Sequence, residues 1–131
     1  DIASFPDWRT GELTRIEHWR TAEQHGRIAA RNMAGHEIPY ESVPFFWTMQ
    51  VGLNFRYVGY VKDWDDLIID GDLSSKRFIA YYVRNNQVLA VAGNKRDKEM
   101  AAIEELMRKG KMPAPDELRR SNIKPLDLLD D

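Results

Sequence analysis

Apolar residues recur at helical spacing twice along this chain, and the stretch between those two places has the texture of strands. Trp19, Ala22, Gly26, Ala29, Ala30 and Met33 share one face of a helix predicted from about Trp19 to Met33. Gly35 stands where a left-handed cap would end it. Most of that face is small, so it is suited to close packing against a backbone or a flat ligand and makes a poor core for a lone helix. Before it, residues 1–13 show no period and read as a loop, expected to be loose as far as Arg15.

After a connector blocked from helix by Pro39 and Pro44, the composition turns aromatic and β-branched. Phe45 to Thr48, Phe55 to Val61, Leu67 to Ile69, Arg77 to Val83 and Gln87 to Ala92 read as strands. The last two flank Asn85-Asn86, a pair that tolerates positive φ and predicts a tight hairpin. A second helix is predicted from Lys98 to Lys109, with Ala102, Ile103, Leu106 and Met107 as its buried stripe and Gly110 as its stop. Pro115-Asp116-Glu117 suits the first turn of a short third helix. Residues 121–131 read as an acidic tail lying over the surface. The fold class expected is α+β: a helical N-terminal part, then an antiparallel sheet packed by one or two C-terminal helices, expected to be cooperative over about residues 44–120.

Composition removes several classes of function. Nineteen basic and 21 acidic residues leave a formal net charge of -2. Nothing in that balance favours nucleic acid or an anionic membrane as partner. No apolar run nears the roughly 20 residues that span a bilayer. There is no cysteine, hence no disulfide, redox thiol or thiolate metal site. A cytoplasmic location is the expectation. His18, His25 and His36 match no metal-binding spacing, and neither G-x-S-x-G nor G-x-G-x-x-G occurs. No metal site and no catalytic residue are expected. The acid pairs Asp65-Asp66 and Asp130-Asp131 read as solvated charge.

The aromatic residues are more informative. In Pro44-Phe45-Phe46-Trp47-Thr48, three consecutive aromatics on an alternating strand must face both ways. At least one therefore points away from its own core and needs a neighbour or a planar ligand. Together with Asp1-Ile2-Ala3-Ser4-Phe5-Pro6, Arg15-Ile16-Glu17-His18-Trp19-Arg20-Thr21-Ala22, Gly26 and Ala29-Ala30-Arg31-Asn32-Met33, this run forms an ordered set. The set resembles the C-terminal third of FAD-dependent ferredoxin, rubredoxin and putidaredoxin reductases, most closely the apoptosis-inducing-factor-like branch.

That resemblance implies a division at about residue 40. Residues 1–40 would be the last part of an FAD-binding domain, and residues 41–131 a flavin-capping, dimerisation-type C-terminal domain. It assigns cofactor contacts to four residues. Asp1 matches the aspartate that binds the FAD ribityl chain; His18 and Trp19 match the helix start that points at the flavin pyrimidine; Trp47 matches the aromatic beside the isoalloxazine. It implies FAD as cofactor, NAD(P)H as hydride donor, a ferredoxin-like iron–sulfur protein as acceptor and a possible homodimer. The FAD and NAD domains themselves are missing from this sequence, so the chain alone is expected to be inactive and without cofactor. Thr48-Met49-Gln50 departs from the Ser-Asp-Gln common among plain ferredoxin reductases. A free-standing binding or dimerisation module is the competing expectation.

Overall fold

The computed structural model describes residues 1–120 and 123–129. The chain divides into two compact units, residues 1–44 and residues 45 onward.

The first unit begins with a small ladder, where the sequence reads as a structureless loop. Strands β1 (Phe5–Pro6) and β2 (Leu13–Thr14) pair antiparallel, with Phe5 opposite Thr14. Asp7 is the reason. Its buried carboxylate accepts from the Arg9 backbone N–H at 2.9 Å and from the Arg9 guanidinium at 3.1 and 2.7 Å. Its own backbone N–H donates to the Glu12 carbonyl at 2.9 Å, so one residue organises the whole turn.

Helix α1 (Trp19–Met33) occupies the predicted span. It ends as Gly35 allows, at φ 90°: the His36 N–H reaches the Arg31 carbonyl at 3.0 Å and the Gly35 N–H reaches Asn32 at 3.1 Å. The face it buries is not the small-residue face. Thr21 is buried and His25 half-buried, the His25 ring lying edge-on to Phe5 at 4.5 Å and to Tyr40 at 4.2 Å. Tyr40 and Ser42 both donate to Gln24 Oε1 at 3.1 Å, and Asn32 pairs with both backbone groups of Ile38. Ala22, Gly26, Ala29, Ala30 and Met33 remain exposed.

The second unit is an antiparallel sheet in the order β3-β4-β7-β6-β5, made by β3 (Phe45–Gln50), β4 (Leu53–Gly59), β5 (Asp66–Asp72), β6 (Arg77–Arg84) and β7 (Gln87–Asn94). Asn85 and Asn86, at φ 50° and 60°, close the predicted β6–β7 hairpin. Helix α2 (Asp97–Arg108) packs on β4 and β7. Cross-strand partners Val58, Val91, Tyr81 and Ile68 form one row across the sheet, and Trp47, Arg56, Gly93, Ile79 and Asp70 form the next row on that same face. This face meets Met100, Ile103, Leu106 and Met107, all buried, three of them members of the predicted stripe. Gly93 lets the helix sit close, since a Cβ there would lie 2.6 Å from Met100 Sδ. Gly110 ends α2 with the same two-bond cap as α1: Lys111 to Leu106 at 2.8 Å and Gly110 to Met107 at 3.1 Å.

Helix α3 (Pro115–Arg120) follows and reaches β5, where Arg119 pairs with Asp66. Arg96 ties the start of α2 to the edge strand: it contacts Asp70 of β5 at 2.9 Å and Glu99 at 2.6 Å. The expected surface tail is only partly described, as residues 121, 122, 130 and 131 lie outside the described residues. Residues 125–128 form a turn in which Pro125 is buried.

Candidate functional site

Asp1, His18 and Trp19 belong to the first unit and Trp47 to the second. Asp1 is exposed at the start of the chain. His18 is the N-cap of α1, extended at φ -149°, and its Nδ1 accepts the Arg20 backbone N–H at 3.3 Å. Acceptance requires a neutral imidazole. Partial burial, and then the Arg20 charge, lower the His18 pKa from its ordinary value and keep it in that form. Trp19 opens the helix with its ring 5.7 Å from that of His18 and remains 60% exposed.

The first turn of α1 contains no acidic residue and includes Arg20. The positive end of the helix dipole is therefore not neutralised by a carboxylate of its own turn. Such an end stabilises negative charge brought to it. Among the described residues, Thr14 Oγ1 and His25 Nε2 of the same unit are buried without a hydrogen-bond partner. Burial also lowers the His25 pKa.

In the second unit the aromatic run divides as alternation requires. Phe46 stacks on Tyr57 at 5.2 Å on one face, while Phe45 and Trp47 share the other face, 6.5 Å apart. Trp47 is 42% exposed. Met49, two residues further along β3, is more exposed still, and so is Val51 in the turn that follows the strand. Sequence reasoning missed these two; the signal available was a Val-Gly pair between two strand-like runs. Among the described residues no cluster of three or more metal-ligating side chains occurs, and no helix is long and apolar enough to cross a membrane.

The reductase C-terminal family matches residues 45–126, which is most of the chain and nearly all of its second unit. The chain belongs to that family. It is 38% identical over 112 residues to apoptosis-inducing factor 3 of Mus musculus, covering 85% of this chain and 18% of that protein. It is 33% identical over 98 residues to the 3-phenylpropionate/cinnamic acid dioxygenase ferredoxin–NAD(+) reductase component of Photorhabdus laumondii, covering 75% of this chain and 25% of that protein. The chain thus spans a quarter or less of the length of these relatives. Its fold is similar to the crystal structure of the covalent putidaredoxin reductase–putidaredoxin complex, with a TM-score of 0.84 at 23% identity over 97% of this chain and 30% of that one. The resemblance read from the sequence and the α+β architecture are both borne out.

Proposed function

We propose that this chain is the C-terminal part of an FAD-dependent NAD(P)H oxidoreductase that delivers electrons to a ferredoxin-like iron–sulfur protein. The observation that carries this reading is the family match over residues 45–126, joined to relatives named as ferredoxin–NAD(+) reductase components. Residues 1–40 then complete an FAD-binding domain, and residues 41–131 form the domain that closes the flavin pocket. The FAD and NAD domains of the same polypeptide are its first partners. A cytoplasmic location fits this assignment.

The residues present suit one end of the cofactor. Asp1 would accept from ribityl hydroxyls, and the dipole of α1, with no carboxylate in its first turn, would stabilise negative charge on the pyrimidine ring. Trp47 would lie against the isoalloxazine. Thr14 and His25 would find their missing partners in the rest of the FAD domain. The flavin, when bound, takes a hydride from the nicotinamide and releases electrons singly. The residues of this chain position the ring, exclude water and stabilise charge; none moves a proton in the proposed scheme.

The polypeptide carrying this chain together with its FAD and NAD domains is expected to purify yellow, with FAD bound, and to reduce ferricyanide with NADH or NADPH. A colourless product without that activity would overturn the proposal.

A further inference from the structure

Trp47 lies on an edge strand, so across the ladder it has one neighbour, Arg56 of β4. Cross-strand partners project from the same face, with Cβ atoms about 4.5–5.5 Å apart. Along β3 the preceding side chain on that face is Phe45, its ring 6.5 Å from that of Trp47. Beyond Arg56 the row continues to Gly93, which has no side chain, and the space over it is taken by Met100. Arg56 therefore stands in the row between Trp47 and the glycine on which Met100 rests.

Arg56 is itself held at each of its guanidinium nitrogens. Its Nη1 donates to Asn54 Oδ1 at 2.5 Å, and its Nε and Nη2 face the two carboxylate oxygens of Asp97 at 3.4 and 3.5 Å. The second contact is the fork arrangement in which a guanidinium meets a carboxylate. Both partners have fixed positions. The Asn54 N–H donates at 3.1 Å to the Oδ1 of Asn94, a buried residue whose amide also donates to the Lys76 carbonyl. Asp97 is the first residue of α2. A planar fork with a partner at every nitrogen keeps its side chain in one geometry, although a pair with so exposed a carboxylate adds little to stability.

We infer that Arg56 is a positioning residue for Trp47: anchored to Asn54 and to the start of α2, its side chain sets the orientation of the indole ring from the one flank that the sheet covers. Arginine suits the task, since its planar cation packs against an aromatic ring while its stem covers apolar surface. The orientation itself needs no ligand. Its consequence for chemistry rests on the flavin reading of Trp47 proposed above. A ring held at a fixed angle meets the isoalloxazine without first being ordered, and slippage of that ring costs rate rather than stability.

The first test reads this chain by near-ultraviolet circular dichroism, taking the contribution of Trp47 as the difference between the natural sequence and Trp47→Phe. Arg56→Ala should remove most of that contribution while Tm and the other aromatic bands stay nearly level. Asp97→Asn, which loses the charge but keeps an oxygen, should remove part of it. An unchanged Trp47 contribution in Arg56→Ala overturns the inference, as does a loss shared by all the aromatic bands with a large fall in Tm, which marks general unfolding. The second test uses the flavin-loaded reductase. Arg56→Ala should change the flavin absorption in the same sense as Trp47→Ala and slow ferredoxin reduction about tenfold. Combined with Trp47→Ala, it should add nothing to the effect of that substitution alone. Additive effects would mean that Arg56 does not act through Trp47, and would overturn its role. If Trp47→Ala leaves the flavin spectrum and turnover untouched, the flavin reading fails, and the orientation is decided by the circular dichroism of the chain.

Discussion

A neutral imidazole caps α1, which makes the helix start sensitive to acid. Since the folded pKa of His18 is depressed below its ordinary 6.5, its contribution to stability is complete above that value and is lost as pH falls through the folded pKa. Protonation also removes the acceptor for the Arg20 N–H, a cap worth about 1 kcal/mol. His18→Asn keeps an acceptor that does not titrate. The Arg20 amide resonance should therefore shift with His18 titration in the natural chain and stay level in the variant. Equal shifts in both would show that the cap does not depend on the imidazole. A second residue-scale prediction concerns Arg96, which holds Asp70 and Glu99 at once while largely buried. Arg96→Ala should destabilise the second unit by roughly 1.5–3 kcal/mol in denaturant titration. Arg56→Ala, which loses the exposed Asp97 and a hydrogen bond to the exposed Asn54, should do so by about 0–1 kcal/mol. A reversed order would mean that the Arg96 cluster does not anchor α2.

At the scale of elements, the chain was legible where local chemistry and tertiary packing agree. Asn85-Asn86 announced its hairpin because the same residues that tolerate positive φ occupy the turn. Both long helices could be bounded because Gly35 and Gly110 close them with matching caps. The hidden features were those set by contacts distant in sequence or contrary to propensity. Asp7-Trp8-Arg9 looks like ordinary polar loop, yet the carboxylate–guanidinium pair folds β1 onto β2. In Val51-Gly52 the glycine signals a turn, but the valine before it disfavours the conformation it adopts and masks that signal. The periodicity of α1 placed its small residues on one face correctly but could not tell which face this unit buries; the polar face, through Gln24, His25 and Asn32, does the local packing. The same limit applies to the site. His18 and Trp47 stood out by resemblance, while the exposure of Met49 and Val51 became visible only in the structure. Amide exchange gives the corresponding element-scale prediction. Protection should be strongest in β4, β6, β7 and α2, which carry the fully buried side chains, and measurable but weaker in β1 and β2. Free exchange at Asp7 and Thr14 would contradict the ordered first turn.

For the molecule as a whole, the account divides the work between what this chain holds and what the rest of a reductase must add. Under the proposed function the chain supplies the start of α1, Asp1 as the proposed ribityl contact and Trp47, with no glycine-rich loop for a pyrophosphate. The chain alone should therefore bind FAD negligibly; micromolar affinity in a flavin-fluorescence titration would contradict that. The central claim is that Trp47 serves flavin chemistry more than folding. It is tested most directly by Trp47→Ala, followed by the flavin absorption spectrum of the loaded reductase and by denaturant titration of this chain. The account predicts an altered flavin spectrum, slower electron delivery to ferredoxin, and a stability loss in the chain well below the roughly 3–5 kcal/mol of a fully buried aromatic. An unchanged spectrum and turnover, together with the full stability loss, would make Trp47 an ordinary core residue and contradict the account.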